Sequence, residues 1–512
     1  MRNPLLLSAF ALCLSLSSAK QERPNIIYII ADDMGYGDVS ALNPESKIQT
    51  PHLDHMAAEG MVFTDAHSSS SVCTPTRYNV MTGRYNWRTK LQRGVVNGYE
   101  PPLIEADRLT IANLLQENGY NTAMIGKWHL GMNHPFAEPP ASYKKNLKNL
   151  VINWDQPLTG TPTCNGFDYF WGHNASLDFP PYNYIENDRY QSQNLRYVDK
   201  KLMKSELGIT KGFRPGWIAD NFDPFETLDE FYDRSAEYIL KADKDTPFFL
   251  YIPLTSPHTP IIPTSEWKGK SGLGDYGDFV MQTDAGVGQI LSALDAAGIT
   301  ENTLILFTAD NGCSPAADID ALIAQGHFPN YIYRGAKADI WEGGHRVPHI
   351  VRWPAAIKAG TQTDRLTVLG DIVATAADII ATDLPADGAE DSVSFLPTLI
   401  GKTEETAATR AIVNHSISGQ FAIRTPEWKL IFTAGSGGWS KPKDKDAAKQ
   451  GLPKFQLYNM IKDPQETTNL YTQFPEVEKR LYDTLMEFIE NGRSTPGPKL
   501  ENDVPVAFSA TL

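Results

Sequence analysis

Cysteine is scarce in this 512-residue chain: Cys13, Cys73, Cys164 and Cys313 are too few for a cysteine-rich metal site. Positive charge is also short, with 46 basic against 61 acidic side chains, a net charge of −15 and a pI near 5.2. That balance argues against nucleic acid as a default partner, and an anionic substrate would need a locally positive pocket inside an acidic protein. Past the N-terminus no apolar run is long enough to span a membrane. Internal repeats and a long low-complexity tail are missing as well. With 41% hydrophobic side chains, the chain can bury one large core and a second, smaller one.

The N-terminus has the layout of a leader. Arg2 precedes an apolar run from Leu5 to Leu16, and Ser17-Ser18-Ala19 supplies small residues for cleavage, which predicts a signal peptide over residues 1–19. An exported protein, periplasmic or extracellular, is expected. Cys13 follows Leu12, a poor residue before a lipidated cysteine, so secretion is favoured over a lipid anchor. Cys164 and Cys313 could pair in an oxidising compartment; the sequence leaves that open.

Short apolar runs alternate with helical stretches. Ile26 to Ile30 lacks polar alternation, the pattern of a strand covered on both faces, and Asn121 to Ile125, Phe248 to Leu254 and Leu304 to Thr308 read as further strands. Leu109 to Glu117 and Phe279 to Ala297 are apolar at helical spacing. The expected fold is α/β, a large mostly parallel sheet sandwiched by helices. Antiparallel strands at Phe421 to Arg424, Lys429 to Thr433 and Phe455 to Tyr458, with a helix over Pro475 to Glu490, predict a smaller C-terminal α+β subdomain. The division is placed at 20–395 for the catalytic domain and 396–512 for the subdomain. The charge run from Lys441 to Lys449 reads as a solvated loop.

Reactive side chains follow these strands. Asp32-Asp33 follows the first, Lys127 and His129 the second, His258 the third and Asp310-Asn311 the fourth. In such sheets, groups beyond the C-terminal strand ends gather in one place. Asp32-Asp33 alone could be a loop start, and Asp310-Asn311-Gly312 alone a turn. Together they offer three carboxylates and an amide, oxygen ligands that select Ca²⁺ or Mg²⁺ over zinc. Extended geometry would put Lys127 and His129 on one side with Trp128 opposed. Cys73 precedes Thr74-Pro75, a good first helical turn, so it sits near a helix N-terminus that favours an anion, with Arg77 one turn later on the same side.

Cys73-Thr74-Pro75-Thr76-Arg77 with Thr82-Gly83-Arg84 resembles the sulfatase signature. Gly126 to Gly131, Ser256 to Pro260, and Lys337 followed by Glu342 to Pro348 resemble further elements of that family in the same order, and Trp428 to Ile431 and Leu457 to Asn459 resemble its C-terminal subdomain. The chain is identified as a member of the arylsulfatase-like, formylglycine-dependent family of the alkaline phosphatase superfamily. The resemblance implies a hydrolase of sulfate monoesters whose Cys73 is oxidised to formylglycine (3-oxoalanine) by a formylglycine-generating or anaerobic sulfatase-maturating enzyme. It implies Ca²⁺ held by Asp32, Asp33, Asp310, Asn311 and the converted Cys73. Arg77, Lys127 and Lys337 would hold the sulfate, His258 would protonate the leaving oxygen, and His129 would take a proton to release sulfate from a covalent intermediate. The aromatic loop from Gly166 to Tyr182 resembles those of secreted polysaccharide sulfatases, with His173, Asp178 and His345 as candidates for reading sugar hydroxyls. A sulfated galactose or N-acetylgalactosamine unit is the expected substrate. A phosphodiesterase or phosphonate hydrolase of the same superfamily is the rival, but the extra histidine and aspartate ligands of two-metal phosphatases cannot be placed. A non-catalytic sugar-binding scaffold would be expected to have lost motif positions, and none is missing.

Overall fold

The computed structural model describes residues 23–402 and 409–512. The leader predicted over residues 1–19, with Cys13, lies outside the described residues. The strand Asn25–Asp32 runs through the middle of a ten-stranded sheet, with Phe248–Pro257 parallel on one side and Thr303–Ala309 parallel on the other. Ile27 lies opposite Leu250 and Ile305 in these ladders. Asn121–Lys127 and Tyr169–His173 continue the parallel run. Beyond Thr303–Ala309 the pairing turns antiparallel through His349–Arg352 to Met61–Phe63.

Side chains on both faces of the central strand are buried, which is why its apolar run is unbroken. Each such isoleucine contributes about 2 kcal/mol by leaving water. Two groups of helices provide the cover: Pro51–Glu59, Thr227–Lys241 and Gly274–Ala297 pack on one another, as do Cys73–Thr82, Ile111–Glu117 and Ile372–Ile379. Because five strands run the same way, Asp32, Lys127, His173, His258 and Asp310 all emerge at one edge of the sheet. That edge is where the sequence placed the chemistry.

A separate four-stranded antiparallel sheet follows in the order Ile412–His415, Phe421–Arg424, Trp428–Ile431, Gln456–Asn459, with helix Pro475–Glu490 packed on it. The first of these strands was not expected. It ties the small sheet to the reactive edge, since Ser71 donates its N–H to the His415 carbonyl oxygen at 3.1 Å, two residues before Cys73. The expected solvated loop over Lys441 to Lys449 contains a short helix, Asp444–Lys449, with two aspartates at its positive end. Among the described residues no helix is long and apolar enough to cross a membrane.

Candidate active site and cation cradle

Cys73 is the first residue of helix Cys73–Thr82, and Val72 before it is extended. One ligand atom each from Cys73, Asp32 and Asp310 lie within 4.8 Å of one another. Arg77, one turn along, donates Nε and Nη2 to Asp310 Oδ2 at 3.0 and 2.8 Å. Lys127 Nζ reaches Asp32 Oδ2 at 2.5 Å, and Lys337 Nζ reaches Asp33 Oδ1 at 2.6 Å. Asn311 Nδ2 donates to the same Asp33 oxygen at 2.8 Å, and His258 Nε2 lies 3.7 Å from its other one. Lys337 arrives from a distant segment because its own N–H bonds the Cys313 carbonyl oxygen and that of Ala338 bonds Ser71.

Three carboxylates therefore face three side-chain cations in a largely buried pocket. Their formal charges cancel, yet Asp32 Oδ1, Asp33 Oδ2 and Asn311 Oδ1 are buried with no hydrogen-bond partner. Unpaired buried oxygens are costly, and three of them in one pocket fit a hard divalent cation. Such an ion would leave the pocket with two positive charges, suited to an anionic tetrahedral group. Burial and the neighbouring Asp32 push Asp310 up to about 6 despite Arg77. Burial would also raise Asp32, but Lys127, His258 and Arg77 hold it well below the usual carboxylate range.

His129 does not continue the strand. Its φ is 59°, so extended geometry ends at Lys127 and the two side chains reach the pocket by different routes. His129 Nε2 lies 2.9 Å from the Val96 carbonyl oxygen, which fixes the proton there and leaves Nδ1 as an acceptor, buried and without a partner. Burial, Lys127 and Arg77 hold its pKa well below that of free imidazole. His258 Nδ1 donates to the Thr259 carbonyl oxygen at 2.6 Å, presenting Nε2 to Asp33. Burial pushes the Cys73 thiol up to about 11, so an unmodified Cys73 is protonated at neutral pH.

Asp178 lines an adjoining cavity of about 1080 Å³. His173 does not: its ring is enclosed edge-on by Tyr184, Phe222 and Phe231. His345 also lies elsewhere, fully buried between His67 and Lys429 at 3.0 Å each, in an ion cluster with Glu342 that ties the four-stranded sheet to the short helix Glu342–His345. Neither is open to a sugar. Cys164 and Cys313 are free thiols, one exposed and one buried. The sequence reading missed Arg214, which pairs with Asp178, and the exposed Trp439, whose N–H is pinned to Asp339 two residues from Lys337. Neither lies in a pattern; an aromatic between glycines and serines was the only available signal for Trp439.

Burial holds His134, His173, His349 and His415 at about 4, 3, 3 and 4. The unfolded chain takes up these protons near pH 6.5 and the folded one does not, so the stability present above pH 6.5 is lost as pH falls towards 3. Replacing His173 by phenylalanine is expected to flatten the thermal-midpoint profile in that window, by up to about 1.4 kcal/mol per pH unit. An unchanged slope would contradict the aromatic cage.

The sulfatase family pattern matches residues 24–382, and that described as N-sulphoglucosamine sulphohydrolase, C-terminal, matches residues 336–491. The N-acetylgalactosamine-6-O-sulfatase of Bacteroides thetaiotaomicron is 33% identical over 500 residues, covering 91% of this chain and 93% of its own. Human arylsulfatase A is 30% identical, covering 90% and 85%. A solved B. thetaiotaomicron chain described with the metabolism of multiple glycosaminoglycans superimposes with a TM-score of 0.78 at 30% identity, over 91% of this chain and 99% of that one.

Proposed function

The chain belongs to the sulfatase family and is a sulfuric ester hydrolase, and on that premise we propose that it desulfates galactose or N-acetylgalactosamine units of a polysaccharide or glycosaminoglycan. The observation that carries the site reading is the set of three unpaired buried oxygens beside Cys73 at a helix N-terminus, ringed by Arg77, Lys127 and Lys337. The B. thetaiotaomicron relative, named an N-acetylgalactosamine-6-O-sulfatase, supports the sugar class, and the cavity at Asp178 offers room for a saccharide.

Asp32, Asp33, Asp310 and Asn311, with Cys73, would hold Ca²⁺. When present, Ca²⁺ supplies charge neutralisation and the 3-oxoalanine derived from Cys73 supplies a hydrated-aldehyde nucleophile. Arg77, Lys127 and Lys337 bind the sulfate oxygens and offset their repulsion of the incoming nucleophile. His258 delivers a proton from Nε2 to the departing sugar oxygen. His129 Nδ1, the acceptor left free by the Val96 contact, takes the proton whose removal allows sulfate to leave.

This reading includes export with a leader over residues 1–19 and conversion of Cys73 by a formylglycine-generating or anaerobic sulfatase-maturating enzyme. It divides the chain into a catalytic domain, 20–395, and a C-terminal subdomain, 396–512. Sulfate release from a panel of sulfated galactose and N-acetylgalactosamine saccharides tests the substrate class, with a nitrophenyl phosphate diester as the rival arm. Turnover restricted to nitrophenyl sulfate, or a preference for the diester, would contradict it. Replacing His258 by alanine is expected to lower turnover of sugar sulfates by about 10²- to 10⁴-fold. Nitrophenyl sulfate, whose leaving group needs little protonation, should lose far less, and equal losses would remove His258 from the acid role.

A further inference from the structure

The cavity of about 1080 Å³ meets the catalytic edge through Thr259, next to His258, and Tyr276, whose hydroxyl lies 3.4 Å from the Asp33 carbonyl oxygen. Arg214 on its wall is held unusually firmly for a side chain that is 49% exposed. Its guanidinium lies 3.8 Å over the Phe179 ring, and Nη1 donates to the Asp178 carboxylate and, at 3.2 Å, to the Asp178 carbonyl oxygen. The Arg214 backbone is clamped by the Tyr182 hydroxyl, at 3.1 Å from its N and 2.7 Å from its O. Phe179 packs in turn on His129, with ring centroids 5.5 Å apart. Arg214 thus stands one aromatic ring away from a residue of the pocket.

Both Nη1 protons are used, but Nε and Nη2 have no partner among the described residues. They form the planar fork that matches two oxygens of a carboxylate or sulfate. Asp178 Oδ1, buried and without a hydrogen-bond partner, leaves one unused acceptor beside the fork. Lys200, Lys211 and Lys268 line the same cavity and make no ion pair among the described residues. With Asp275 and Asp318 counted, the lining holds four cations and three carboxylates, a positive balance in a chain of net charge −15.

We propose that Arg214, with Asp178 and the three lysines, forms a subsite for a second anionic group, a carboxylate or a sulfate, on the sugar adjoining the one that is desulfated. The inference rests on the carbohydrate reading above. It makes an anionic oligosaccharide a better substrate than a sulfated monosaccharide. Two arms distinguish the anions: one disaccharide carries a uronate beside the sulfated unit, the other a second sulfate.

The test is the ratio of kcat/KM for each anionic disaccharide to that for a disaccharide with a neutral neighbour, measured on the same preparation so that misfolded protein cancels. The wild-type protein should favour at least one anionic arm by about ten- to a hundredfold. Arg214→Ala should bring that ratio close to one, and Arg214→Lys, which keeps the charge without the fork, should recover only part of it. A wild-type ratio near one, or a ratio that Arg214→Ala leaves unchanged, would overturn the subsite while leaving the carbohydrate reading intact. Turnover of nitrophenyl sulfate with none of the saccharides would overturn both.

Discussion

Replacing Cys73 by alanine is expected to abolish sulfate-ester hydrolysis, with kcat/KM falling on the order of 10⁴-fold or more. The cause is loss of the reacting atom itself. On the proposed reading every other group in the pocket neutralises charge or moves a proton, and none supplies the nucleophile. Folding should be little affected, since the side chain is small and the helix begins regardless: a change of about 1 kcal/mol is expected. The decisive comparison is with wild-type protein produced in a host without maturation activity. Its thiol, pushed up to about 11 by burial, is protonated at neutral pH, so that preparation should be as inactive as the alanine variant. Full activity in either would contradict Cys73 as the nucleophile's source.

Removal of the divalent cation should have the second-largest effect, and on stability as well as turnover. Without an ion, three buried carboxylates share one pocket and three oxygens lack a hydrogen-bond partner, a desolvation penalty that the folded state carries. Chelator-treated protein should melt several degrees lower and release no sulfate. Adding back Ca²⁺ at about 100 times its dissociation constant should restore about 2.7 kcal/mol of stability. Zinc should restore less, because the unpaired donors of the cradle are carboxylate and amide oxygens, which suit a hard cation better. A melting profile indifferent to chelation, in protein shown to be metal-free, would contradict the cradle.

Much of this site was legible because buried parallel strands write themselves as unbroken apolar runs, and because the polar residues that follow such runs have few other reasons to be there. Asp32, Lys127, His258 and Asp310 were found that way. Histidines were harder. His345 sits beside the Glu342-Gly343-Gly344 turn, yet its partner Lys429 lies far along the chain, and only folding shows that the pair is enclosed. The cage around His173 is likewise built from Tyr184, Phe222 and Phe231, residues that any loop might carry. The left-handed backbone at His129 has no sequence signal, because no glycine marks it. Strand Ile412–His415 is four residues long and ends in Asn414-His415, too short for its period to register.

Mass spectrometry of the peptide spanning Cys73, taken from active protein made in its native host, tests the central claim most directly. The account predicts a residue that has lost H₂S and gained one oxygen, the signature of 3-oxoalanine, in proportion to specific activity. An unmodified thiol at Cys73 in fully active protein would contradict it.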